Sequence, residues 1–120
     1  MATKPISKKA HGAIDYGFLG MMLAGPSLLG LTGPAKTLAY LVGGVQGGLN
    51  AVTDQPLAVK RLVPFRTHGT IELASGPAFV LLPTITGALK EPKARAFFGV
   101  ALGLLATVYA LTDWDATTDG

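Results

Sequence analysis

The chain has 120 residues, of which 49% are apolar and only 14% charged, with a formal net charge of +3 and 16 glycines. This length holds one domain at most. Charge this far below the roughly 25% of soluble domains, gathered in short stretches between apolar runs, points to an integral membrane protein. The absence of cysteine excludes a disulfide framework, a thiolate metal site and a cysteine nucleophile. The basic residues flank apolar runs without interleaved aromatics, so they mark topology and not a nucleic-acid footprint.

Residues 1–10 are polar and basic and suit a short cytoplasmic tail. Residues 12–32 form the first apolar run, matching the roughly 20 residues of a spanning helix. A basic start before an apolar stretch also has the form of a signal peptide, but the same pattern returns mid-chain, which argues for retention. Gly33-Pro34 marks a tight turn. Residues 36–53 form a second run rich in small side chains, and residues 54–67, with two prolines and three basic residues, form the longest connection. Residues 69–89 form the third run, residues 87–93 a turn with Pro92 placed to start a helix, and residues 94–111 the fourth run. Residues 112–120 make a polar, acidic tail expected to fray.

These runs predict an all-α fold, a four-transmembrane-helix bundle forming a single integral membrane domain over residues 1–120, with the lipid bilayer as its partner. Lys4, Lys8, Lys9, Lys60, Arg61 and Arg66 fall on one side, and Lys36, Lys90, Lys93 and Arg95 on the other. That bias places both termini in the cytoplasm.

The chain also repeats itself. His11-Gly12-Ala13-Ile14-Asp15 returns 57 residues later as His68-Gly69-Thr70-Ile71-Glu72. At the same offset Pro26-Ser27 meets Pro83-Thr84 and Gly30 meets Gly87; with two extra residues between, Ala51 to Asp54 meets Ala110 to Asp113. The unit is a helical hairpin, over about residues 11–58 and again over about 68–116. Two spans per unit give both copies one orientation, so these are parallel repeats. With Gly25-Pro26-Ser27 and Leu82-Pro83-Thr84 near the same place in each copy, the chain resembles small bacterial integral membrane proteins of the SPW-repeat kind. The tryptophan of that motif is absent from both copies, and Trp114 lies elsewhere. The resemblance implies a multi-pass protein of the bacterial inner membrane; the family has no activity to carry over.

Helices in lipid associate through small residues. Gly43, Gly47 and Ala51, with Gly44 and Gly48, suit such a seam on the second helix. The first helix offers Ala13, Gly17, Gly20 and Ala24, and the fourth Gly99, Gly103 and Thr107. A face left over would suit a homo-oligomer or a larger membrane complex.

Four-residue spacing puts His11 and Asp15 on one helix face, and His68 and Glu72 on another. Gln46, Asn50 and Asp54 form a stripe toward the same end, as do Tyr109 and Asp113. Two imidazoles and two carboxylates make a ligand set for zinc, iron or manganese, with Asp54 and Asp113 as groups that orient the imidazoles. A b-type haem held between His11 and His68 is a variant of this reading. The same groups could instead latch the hairpins together, or form a proton or small-ion path. Tyr16, Phe65 and Trp114 read as interfacial anchors. No phosphate loop, His-Glu-x-x-His or nucleophile elbow is present, so no catalytic residue is assigned. The sequence thus favours a non-enzymatic membrane scaffold or accessory subunit, with metal or haem binding as the alternative.

Overall fold

A computed structural model describes residues 4–120. It is all-helical: α1 (Lys8–Leu28), α2 (Gly33–Ala51), α3 (Phe65–Ile85), a short 3-10 turn (Ala88–Lys90) and α4 (Pro92–Leu111). The first three residues of the basic N-terminal tail lie outside the described residues.

α1 and α3 start about one turn before their apolar runs. Ser7 caps α1 by accepting the Ala10 amide at 3.1 Å, and Pro64 stands at the same place before α3. His11 and His68 are therefore each the fourth residue of a helix, a full turn inside it. Pro34 and Pro92 sit in the first turns of α2 and α4, where a missing amide hydrogen costs nothing. Gly30 (φ 72°) and Gly87 (φ 78°) follow the ends of α1 and α3 in the left-handed region, the usual glycine stop to a helix.

The segments entering and leaving the helices are laced together at one end. Ile6 donates to Leu111 O (3.0 Å) and accepts from the Asp113 amide (2.9 Å). Val63 donates to Val52 O (2.8 Å) and accepts from the Asp54 amide (2.7 Å). The chain entering α1 is thus paired with the chain leaving α4, and the chain entering α3 with the chain leaving α2. The tail, expected to fray, folds back onto this end. Its Asp119 carbonyl accepts the Lys9 amide at 3.2 Å, and its Asp119 and Asp115 carboxylates meet Arg61 (3.2 Å) and Arg66 (3.4 Å).

Burial divides along the bundle. Toward the α1–α2 and α3–α4 turns the core is apolar, built on Phe18, Met22, Leu38, Phe97, Phe98 and the small Ala39, Ala94 and Ala101. At the laced end most buried side chains are polar, namely His11, Asp15, Asn50, Thr53, Gln55, His68, Glu72 and Thr112, with Phe65 and Val108 beside them. Of the glycines in the small-residue seams, Gly43 and Gly47 make a close helix contact. A Cβ at Gly43 would stand 2.8 Å from Met22 Cβ, and one at Gly47 2.7 Å from Leu19 Cδ2. Gly17, Gly20, Gly44, Gly48, Gly99 and Gly103 all face open space. The outer surface carries large apolar side chains on every helix, among them Leu23, Leu41, Val45, Leu73, Leu81, Ile85, Val100 and Leu104. Among the described residues, one helix, Pro92–Leu111, is long and apolar enough to cross a membrane by length and composition.

A candidate metal centre

The paired motifs meet. α1 and α3 bring His11, Asp15, His68 and Glu72 into one cluster, in which both imidazoles are 0% exposed, Asp15 2% and Glu72 8%. The two Nε2 atoms are 3.4 Å apart. Asp15 Oδ2 stands 3.1 Å from His11 Nε2 and 3.2 Å from His68 Nε2. Glu72 Oε2 stands 3.6 and 3.5 Å from the same two atoms. A tetrahedron with metal–ligand bonds of about 2.0–2.1 Å has edges of about 3.3–3.4 Å. The His11–Asp15–His68 triangle therefore has the dimensions of one face of such a site, and Glu72 lies just beyond them.

The outer ring nitrogens settle the tautomers. His11 Nδ1 is 2.9 Å from Thr112 Oγ, and His68 Nδ1 is 2.7 Å from Thr53 Oγ. Each hydroxyl already donates its single hydrogen to the carbonyl four residues back, Thr53 to Leu49 O (2.6 Å) and Thr112 to Val108 O (2.5 Å). Each threonine can then only accept, so each Nδ1 carries the hydrogen and donates it. In a neutral imidazole this leaves a lone pair on each Nε2. Two lone pairs thus face each other and two carboxylates. Asp15 Oδ2 and both Glu72 oxygens are buried with no hydrogen-bond partner. Enclosed anions without donors are costly unless a cation compensates them. Protonating one Nε2 would let it donate to the other across 3.4 Å but would leave the Glu72 oxygens unpartnered, and protonating both would aim two N–H bonds at each other.

The surroundings are aromatic. Phe65 is edge-on to His11 at 5.6 Å between ring centroids, and Trp114 lies 4.8 Å from the His11 ring and 5.9 Å from His68, stacked on the latter. These rings cover the imidazoles; they are not free interfacial anchors. Tyr16, the third expected anchor, donates its hydroxyl to Leu57 O at 2.8 Å. The glycine after each histidine makes room for the wall. A Cβ at Gly69 would stand 2.6 Å from the Trp114 ring, and one at Gly12 would collide with the Gln55 amide.

The expected supporting groups are placed less centrally. Asn50 is buried and donates to Gly12 O at 2.9 Å, tying α2 to α1 beside His11. Gln55, which spacing did not single out, is fully buried and donates to Asn50 O at 3.0 Å. Asp54 turns to Arg61 at 3.6 Å and Asp113 caps its own turn by accepting the Asp115 amide at 3.2 Å, so neither orients an imidazole. That role falls to Thr53 and Thr112, one residue earlier in each case. Gln46 is half-buried and, among the described residues, forms no side-chain hydrogen bond. Tyr109 packs on Trp114 at 5.4 Å, outside the cluster. With carboxylates beside both Nε2 atoms, the cluster suits a single ion and leaves no plane for a porphyrin between the histidines. Comparison with protein-family models, curated proteins and solved structures finds no match for this chain.

Proposed function

We propose that this is a four-span integral membrane protein, built from two parallel hairpin copies, whose task is to hold one divalent transition metal ion between them. His11 Nε2, His68 Nε2 and Asp15 Oδ2 are the ligands, with Glu72 as the fourth donor. One observation carries this reading: both Nδ1–H groups are committed to threonines that can only accept, which leaves two Nε2 lone pairs converging with unpartnered carboxylates. A dication would balance the two carboxylates and give both Nε2 lone pairs a partner. Zinc fits the spacing best, since it favours four N and O donors at these edge lengths. This reading takes precedence over the scaffold favoured by the sequence, because a latch of the two histidines and Asp15 would still leave both buried oxygens of Glu72 without a hydrogen-bond partner.

Three observations support the membrane setting. Large apolar side chains cover the outside while the polar ones are enclosed. Four helices of 19 to 21 residues are about 30 Å long, the thickness of a bilayer core. The end carrying the cluster also carries six of the ten basic residues, which the positive-inside rule assigns to the cytoplasm.

The test is elemental analysis of protein extracted in detergent without chelators or a polyhistidine tag. About one zinc, manganese or iron per chain is expected, and it should be lost in both His11→Ala and His68→Ala. A folded protein that is metal-free as isolated, and takes up none of the three on dialysis, would overturn the reading.

A further inference from the structure

Asp15 belongs to two environments. Its Oδ2 is enclosed against the imidazoles. The same residue also stands in the wall of a cleft of about 200 Å³ between α1 and α4, lined otherwise by Ile14, Gly17, Phe18, Met21, Leu104, Leu105 and Val108. It is the only polar side chain in that wall, and Ile14 and Leu104, both well exposed, stand at the apolar outer surface of the bundle.

We infer that this cleft binds a lipophilic phenol, such as the ring of a hydroquinone, with its hydroxyl donating to the Asp15 carboxylate. The inference rests on the metal reading, since that carboxylate is the one assigned to the ion. Volume admits one ring: a dry apolar cavity of about 150 Å³ accommodates benzene. The lining favours an aromatic over a saturated chain, because Phe18 offers ring contacts and Met21 a polarisable thioether. Chemistry requires a donor head. A carboxylate at the inner wall of an apolar cleft is paired only by a group that brings its own hydrogen. Entry past Ile14 and Leu104 suits a molecule dissolved in the hydrocarbon phase.

Gly17 makes the test clean. Gly17 lines the cleft and a Cβ there meets nothing within 4 Å, so Gly17→Leu adds bulk at the cleft without a clash at Cβ, and the zinc content reports whether the cluster is spared. Gly20 also faces open space and does not line the cleft, so Gly20→Leu serves as the matched control. Binding of para-trifluoromethylphenol and of trifluoromethylbenzene would be followed by fluorine NMR on the zinc-loaded protein in lipid nanodiscs, against empty nanodiscs, with zinc measured on the same samples. The phenol should saturate at one per chain and bind about tenfold or more tighter than the hydrocarbon. Gly17→Leu should abolish this at unchanged zinc content, and Gly20→Leu should not. Equal binding of the two probes, or phenol binding that survives Gly17→Leu, would overturn the inference. Phenol binding of the expected pattern to a protein that takes up no zinc would support the cleft while refuting the metal site.

Discussion

A threonine hydroxyl has one hydrogen, and at positions 53 and 112 that hydrogen goes to a backbone carbonyl one turn back. The remaining lone pairs hold an imidazole in a single tautomer and ring orientation. Replacing Thr112 by valine keeps the volume and removes the acceptor, so His11 can move its hydrogen to Nε2 and lose its place as a ligand. Thr112→Val, and likewise Thr53→Val, is expected to weaken zinc binding by about 10–100-fold in competition with a chromophoric chelator, while helix content is retained. The four clustered residues could be picked out in the sequence because the i, i+4 geometry of a helix fixes which side chains share a face. The threonines were not. They sit where α2 and α4 end, periodicity stops there, and Asp54 and Asp113 next to them look like the better partners. Trp114 and Phe65 were visible as aromatics near a helix end, but nothing in their spacing said that they would lie on the imidazoles.

Among the helices, α1 and α2 approach closely at Gly43 and Gly47. The two contacts differ in kind. Gly43 faces Met22 Cβ, an atom fixed to the backbone, whereas Gly47 faces the far end of the Leu19 side chain, which can turn aside. Gly43→Ala should therefore lower stability by about 1–3 kcal/mol, and Gly47→Ala by less. Gly44→Ala, which meets nothing, should not destabilise. Thermal unfolding of the three variants in one detergent checks the order. The glycine spacing on α2 showed that a face was built for close approach. It could not show which neighbour would use it, nor that Gly20 on α1 would look outward and Gly17 onto a cleft. The helix count and the turns at Gly33-Pro34 and before Pro92 were legible from apolar runs and breakers. The starts of α1 and α3 were placed too late, since a basic or polar first turn looks like loop until its cap is seen.

At the scale of the molecule, the proposed metal site would link stability to metal binding. The proposed ligands come from helices far apart in the chain, so an unfolded chain offers no comparable site, and an ion held by them would bind the native state. Zinc at about 100 times its Kd should add about 2.7 kcal/mol of apparent stability. The unfolding temperature in detergent should rise with free zinc and fall on chelation, and the His68→Ala protein should show neither response. That α4 is the one helix among the described residues apolar enough to cross a membrane by composition has a physical reason in the same architecture. α1 and α3 carry the imidazoles and carboxylates, and α2 carries four glycines in its second half. Their average apolarity is diluted by the groups that build the centre, while their outward faces stay apolar.

The threonine–histidine bonds cross over: the residue closing α4 holds the histidine of α1, and the residue closing α2 holds that of α3. A gene encoding one such hairpin would yield a chain whose histidine must borrow its threonine from a second molecule. Two identical chains could satisfy each other reciprocally, as a symmetric homodimer does. Fusing two copies end to end would keep every bond and release each half to drift. Gln55 beside Gly12, and Trp114 beside Gly69, are different walls against the two histidine motifs.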